Sequence, residues 1–103
     1  MMPMSRAGES FALVERELQE ERAAALVRIA TTLESLVERL KAVRAEIAAQ
    51  AEPARSERVG AYESIRRDAK RYRWYLEVQR ESVGFLRHDV LDEIYPIPGS
   101  IQG

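Results

Sequence analysis

Apolar positions recur in steps of three and four over two long stretches, residues 10–50 and 56–87. In the first, Leu26, Ile29, Leu33, Leu36, Leu40, Val43 and Ile47 alternate without a miss. That spacing predicts a helix with one face packed along another helix. Upstream, Phe11, Val14 and Leu18 keep the alternation until Glu21 and Arg22 interrupt it, so the stripe is expected to slip near residues 23–25. The second stretch repeats the pattern at Tyr62, Ile65, Ala69, Tyr72, Leu76, Gln79, Val83, Leu86 and Val90. Its one polar member, Gln79, reads as a seam residue that sets register, as a buried Asn does in coiled coils.

Between the stretches stands Pro53, which lacks an amide donor and pushes Glu52 out of the helical region. The two seams are out of register across it, and the connection is short, so the helices are expected as an antiparallel hairpin. Ser10 is a plausible cap for the first helix, which would be roughly 60 Å long. Gly84 lies inside the second pattern, where it costs about 1 kcal/mol relative to Ala. It implies a loosened helix or a close neighbouring backbone. Asp89 is placed to cap a short final helix over residues 90–95, which Pro96 would end. The expected organisation is a disordered N-terminus (1–9), one helical-hairpin domain (10–95) and an irregular tail (96–103).

A hairpin alone buries each helix on one side only, and the second helix is apolar on two. Plotted at about 100° per residue, Trp74, Val78 and Phe85 lie opposite the seam, with Tyr75 beside them. Trp and Tyr favour interfaces, where a large apolar body is buried and a polar edge stays satisfied. Trp74, Tyr75, Val78 and Phe85 are therefore the candidate partner interface, and a homodimer closing into a four-helix bundle is the simplest cover. The competing cover is intramolecular, with Phe11, the final helix or the tail folding back over Trp74 and Phe85. The expected fold class is all-α: a long antiparallel hairpin and a short C-terminal helix, with dimerisation into a four-helix bundle expected.

Composition narrows the function classes. The chain has 103 residues, 16 Lys and Arg against 17 Asp and Glu, and no Cys. No disulfide framework or thiolate site is available, which fits a reducing compartment such as the cytoplasm. The longest apolar run, residues 23–27, is far below the ~18 residues of a membrane span, and residues 1–10 lack the apolar core of a signal peptide. The near-neutral total hides an asymmetry. Residues 39–73 hold 10 basic and 5 acidic side chains, whereas both flanking segments are net negative. Folding at Pro53 would oppose a basic loop end to an acidic far end, and antiparallel docking of two hairpins would pair unlike ends.

Three groupings bear on chemistry. Arg66, Arg67, Lys70, Arg71 and Arg73 form a basic run beside Trp74 and Tyr75, an array suited to phosphates and a stacked base. The plainer reading is a solvated face paired with glutamates, and Glu63, Asp68 and Glu77 dilute the field. His88 and Asp92 have the spacing of two metal ligands on a helical turn, but two ligands do not close a site, and no metal or cofactor is expected. With no Gly-rich phosphate loop, no Cys and a single His, catalysis is not expected either.

The segments Glu21-Arg22-Ala23-Ala24-Ala25-Leu26 with Arg28 and Leu33-Glu34, Val78-Gln79-Arg80-Glu81-Ser82-Val83-Gly84-Phe85, and Tyr95-Pro96-Ile97-Pro98 with Ile101 carry a resemblance. In them the chain resembles a small bacterial all-helical family of unknown function. The chain departs from it in ending soon after Ile97-Pro98 and in its Arg-rich 66–73 stretch. The resemblance implies a compact helical bacterial protein and adds no catalytic residue. The expected function is a non-enzymatic interaction or scaffold module that self-associates through helical packing, with an unidentified protein partner possible. A nucleic-acid-binding accessory role through 66–73 is the alternative.

Overall fold

A computed structural model describes residues 6–101. Its elements are α1 (Arg6–Ala48), α2 (Ala54–Ser82) and α3 (Val90–Ile94). The expected all-α hairpin with a short third helix is observed, and no strand occurs among the described residues. α1 and α2 run antiparallel in a rod 77 Å long and 21 by 14 Å across. α1 starts at Arg6, so Ser10 lies within the first helix and does not cap it. The disorder expected over 1–9 is thus replaced by helix from Arg6, and residues 1–5 lie outside the described part. No described helix is long and apolar enough to cross a membrane.

The core follows the two seams. Leu33, Leu36, Leu40 and Ile47 of α1 are buried against Tyr62, Ile65, Ala69 and Leu76 of α2, with Val37 and Val59 added. Leu26, Ile29, Val43 and Tyr72 pack half-buried at its margins. Gln79, half-buried, faces the small Ala24 and Ala25 of α1. Arg58 reaches Glu46 at 3.5 Å and ties the helices near the loop.

α2 stops earlier than its pattern predicts. Gly84 takes φ 98°, a left-handed conformation that side chains resist. Phe85 N–H donates to the Arg80 carbonyl at 2.9 Å and Gly84 N–H to that of Glu81 at 3.1 Å. These paired bonds are a Schellman closure, with Gly84 just past the helix end. A Cβ at Gly84 would meet nothing within 4 Å, so neither a close backbone nor an interior helical position accounts for it. Leu86 and Val90 therefore leave the α2 seam, and Leu86 is 77% exposed. Asp89 precedes α3 without a side-chain capping bond.

The missing third layer comes from the chain itself. Leu91 of α3 is buried in the core, and Tyr95, Ile97 and Ile101 pack against it. After Pro96 the tail runs back along α2 without regular secondary structure. Proline lacks an amide donor and such a segment makes no ladder, so its carbonyls need other donors. They find them in Tyr62 Oη, which donates to the Gly99 carbonyl at 2.8 Å, and Arg66 Nε, which donates to that of Pro98 at 2.9 Å. Arg44 adds bonds to Tyr62 Oη and the Gly99 carbonyl.

Candidate functional site

The four aromatic and apolar residues expected to share one face do not share it. Trp74 and Val78 lie on the outer side of α2, and Trp74 is 59% exposed. Tyr75 sits edge-on to Tyr72 at 5.3 Å and tilted against Trp74 at 5.7 Å, forming a short aromatic row. Phe85 follows the Gly84 turn, so the helical projection that grouped it with Trp74 does not apply. Instead the Arg80 guanidinium lies over its ring at 5.1 Å. Phe85 borders a groove of about 280 Å³ with Val27, Ala30, Leu91 and Ile94, separate from the Trp74 side. The tail covers neither: Ile97 borders a shallow groove of about 310 Å³ beside Trp74, yet both rings stay more than half exposed.

Two members of the basic run, Arg66 and Arg73, hold separate elements together, and a third pairs within α2. Arg66 serves the tail carbonyl of Pro98. Arg71 pairs with Asp68 at 3.0 Å. Arg73 pairs with Glu77 and with Asp92, linking α2 to α3. Arg67 and Lys70 alone make no hydrogen bond or ion pair with another described residue. A continuous phosphate-binding face would need Arg66 and Arg73 to release the tail and α3, whereas the exposed Arg71–Asp68 pair is weak.

His88 lies ahead of α3, so it and Asp92 are not stacked on one helical turn. Its Nε2 faces Glu81 at 3.0 Å, and its Nδ1 faces Arg80 Nε at 3.4 Å. Arg80 Nη2 also donates to the Arg87 carbonyl at 2.9 Å. These residues staple the turn that Gly84 begins. No group of three or more His, Cys, Asp or Glu among the described residues is arranged to hold a metal ion.

Glu63 is the titratable group that the tail perturbs. Its Oε1 accepts from the Ile101 amide and the Ser100 hydroxyl, each at 2.9 Å. The Ile101 amide, then the Ser100 hydroxyl, hold its carboxyl below the usual range; Arg66 and Arg67 add to this and partial desolvation opposes it.

An exposed apolar stripe continues the buried seam on α1. At about 1.5 Å per residue α1 outruns α2 by some 20 Å. Residues 9–21 are exposed throughout, including Phe11 at 70%, Leu13, Val14 and Leu18. At about 100° per residue, Phe11, Val14 and Leu18 fall on the same side of the helix as Ile29, Leu36 and Ile47. The face that packs on α2 therefore continues past the end of α2 without a partner. Sequence periodicity marks these residues as seam members. Their exposure follows from reading Gly84 as a helix terminator, a signal the Gly-Phe pair after Arg80 to Ser82 carried.

No protein-family model matches the chain, and comparisons with curated proteins and with solved structures found no match.

Proposed function

We propose that the chain is a non-enzymatic interaction module that self-associates through helical packing. The observation that carries this reading is the exposed seam of α1, where Phe11, Val14 and Leu18 extend a core-forming face into open space. Core-type side chains in register with a buried seam gain by removal from water, at about 25 cal/mol per Å² of apolar area. The outer face of α2 at Trp74, Tyr75 and Val78 is a second surface for a protein partner. Membership of the bacterial helical family suggested by residues 78–85 and 95–98 belongs to this proposal and assigns no activity. The nucleic-acid alternative has less support, because Arg66, Arg71 and Arg73 hold other groups and leave Arg67 and Lys70.

Light scattering at micromolar to millimolar concentration tests the reading. Self-association gives a mass approaching twice 11.8 kDa. A monomer across that whole range contradicts it.

A further inference from the structure

We infer that two copies join at their N-terminal ends, the α1 extension of each filling the space beyond the Gly84 turn where α2 of the other stops. This rests on the self-association reading and specifies its partner surface and direction. Three observations lead to it.

The first is continuity with the existing interface. Phe11, Val14 and Leu18 lie on the side of α1 that already packs on α2, and α2 is closed off at Gly84. A helix entering that space takes up the line α2 would have followed, and it meets a surface already patterned for a helix. The second copy's own extension is such a helix and has the length of the gap.

The second is charge. In an antiparallel pair with Phe11 of each copy against Val14 of the other, Glu15 is level with Ser10 and Glu17 with Gly8. No like charges then face one another across the seam. In a parallel pair Glu15 would be level with Glu15 and Glu17 with Glu17, which is destabilising. The antiparallel arrangement is the one these side chains accept.

The third is steric. Ala7, Gly8 and Ser10 lie in or beside the stripe, so the two helices can approach closely around Phe11. By contrast the groove beside Trp74 is lined by Arg66, Lys70 and Arg73, and the Phe85 groove shares no residue with it. Neither is an extension of the buried seam. The joined molecule is a single long rod with its two basic loop ends at opposite tips. Both Trp74 faces remain open for a further partner.

Small-angle X-ray scattering on the full chain, with mass measured on the same samples, tests the arrangement. The longest dimension of the end-joined dimer is about 130 Å, two rods overlapping by about 20 Å of helix. Side-by-side docking of the hairpins, with unlike ends paired, gives a dimension close to the 77 Å of one chain. Val14→Glu should return the molecule to a monomer with unchanged helicity, because Val14 touches no core residue. Trp74→Ala should leave both the mass and the long dimension as they were. A dimer near 77 Å, a Val14→Glu dimer, or a Trp74→Ala monomer each overturns the end-joined arrangement while leaving self-association standing. A wild-type monomer overturns the reading beneath it.

Discussion

Two parts of α1 carry the same alternation of apolar residues and have opposite fates. Residues 26–47 are covered on one side by α2 and on another by α3 and the tail, and Leu33 and Leu40 are wholly buried. Phe11 and Val14 present the same helical side to solvent, 70% and 63% exposed, and Leu18 at the margin of α2 is 43% exposed. The difference is not in the side chains of α1. It is set elsewhere, by Gly84 ending α2 and by the tail running back toward the loop and away from the N-terminal end. A seam pattern therefore reports which face of a helix will pack, and the partner's length decides where that face is satisfied.

The contrast can be broken most strongly from the buried side. Leu40→Ala should cost about 2–5 kcal/mol, since it removes a fully enclosed side chain and leaves a cavity between three layers. Val14→Ala should leave the monomer within about 0.5 kcal/mol of the original stability, as a surface change does. Thermal or urea unfolding at low concentration measures both. Equal losses at the two positions would mean that the extension is covered within a single chain.

Gly84→Ala is next in size. Its backbone angle is one that side chains resist, and the cost should be about 1–2 kcal/mol, even though the space for a methyl group is open. The Arg80 staple over Phe85 and His88 depends on this turn, so the loss should be accompanied by looser packing of α3. Near-ultraviolet circular dichroism of the aromatic residues would register it.

The smallest effect distinguishes the strapped half from the bare one by pH. Glu63 has its carboxyl depressed by the tail, so the stabilisation is present above the ordinary glutamate range. It is lost as pH falls through the lower folded value. Amide exchange at Ile101 should therefore speed up in acid, and Glu63→Gln should remove that dependence. Exchange around Val14 in the monomer should show no such loss of protection.

Much of this molecule can be read from residue order alone. The hairpin, the break at Pro53 and the seam residues from Leu26 to Ile47 follow from the three-four spacing, because a long helix offers many repeats of one simple rule. The tail does not announce itself in that way. Tyr95, Ile97 and Ile101 have no helical period, and their docking depends on donors from Arg44, Tyr62 and Arg66, far away in sequence. Pairing of the 66–73 arginines with nearby carboxylates is expected from the sequence, but the commitment of Arg66 to a distant tail carbonyl is not visible there. A helical projection groups Phe85 with Trp74 by assuming that the helix continues, and Gly84 with its positive φ ends it.

Hydrogen exchange followed residue by residue as a function of protein concentration tests the central claim most directly. Amides around Phe11, Val14 and Leu18 should become protected as concentration rises, while those of residues 33–47 stay protected throughout. Protection near Phe11 that ignores concentration, or a concentration-dependent change confined to Trp74 and Val78, would contradict it.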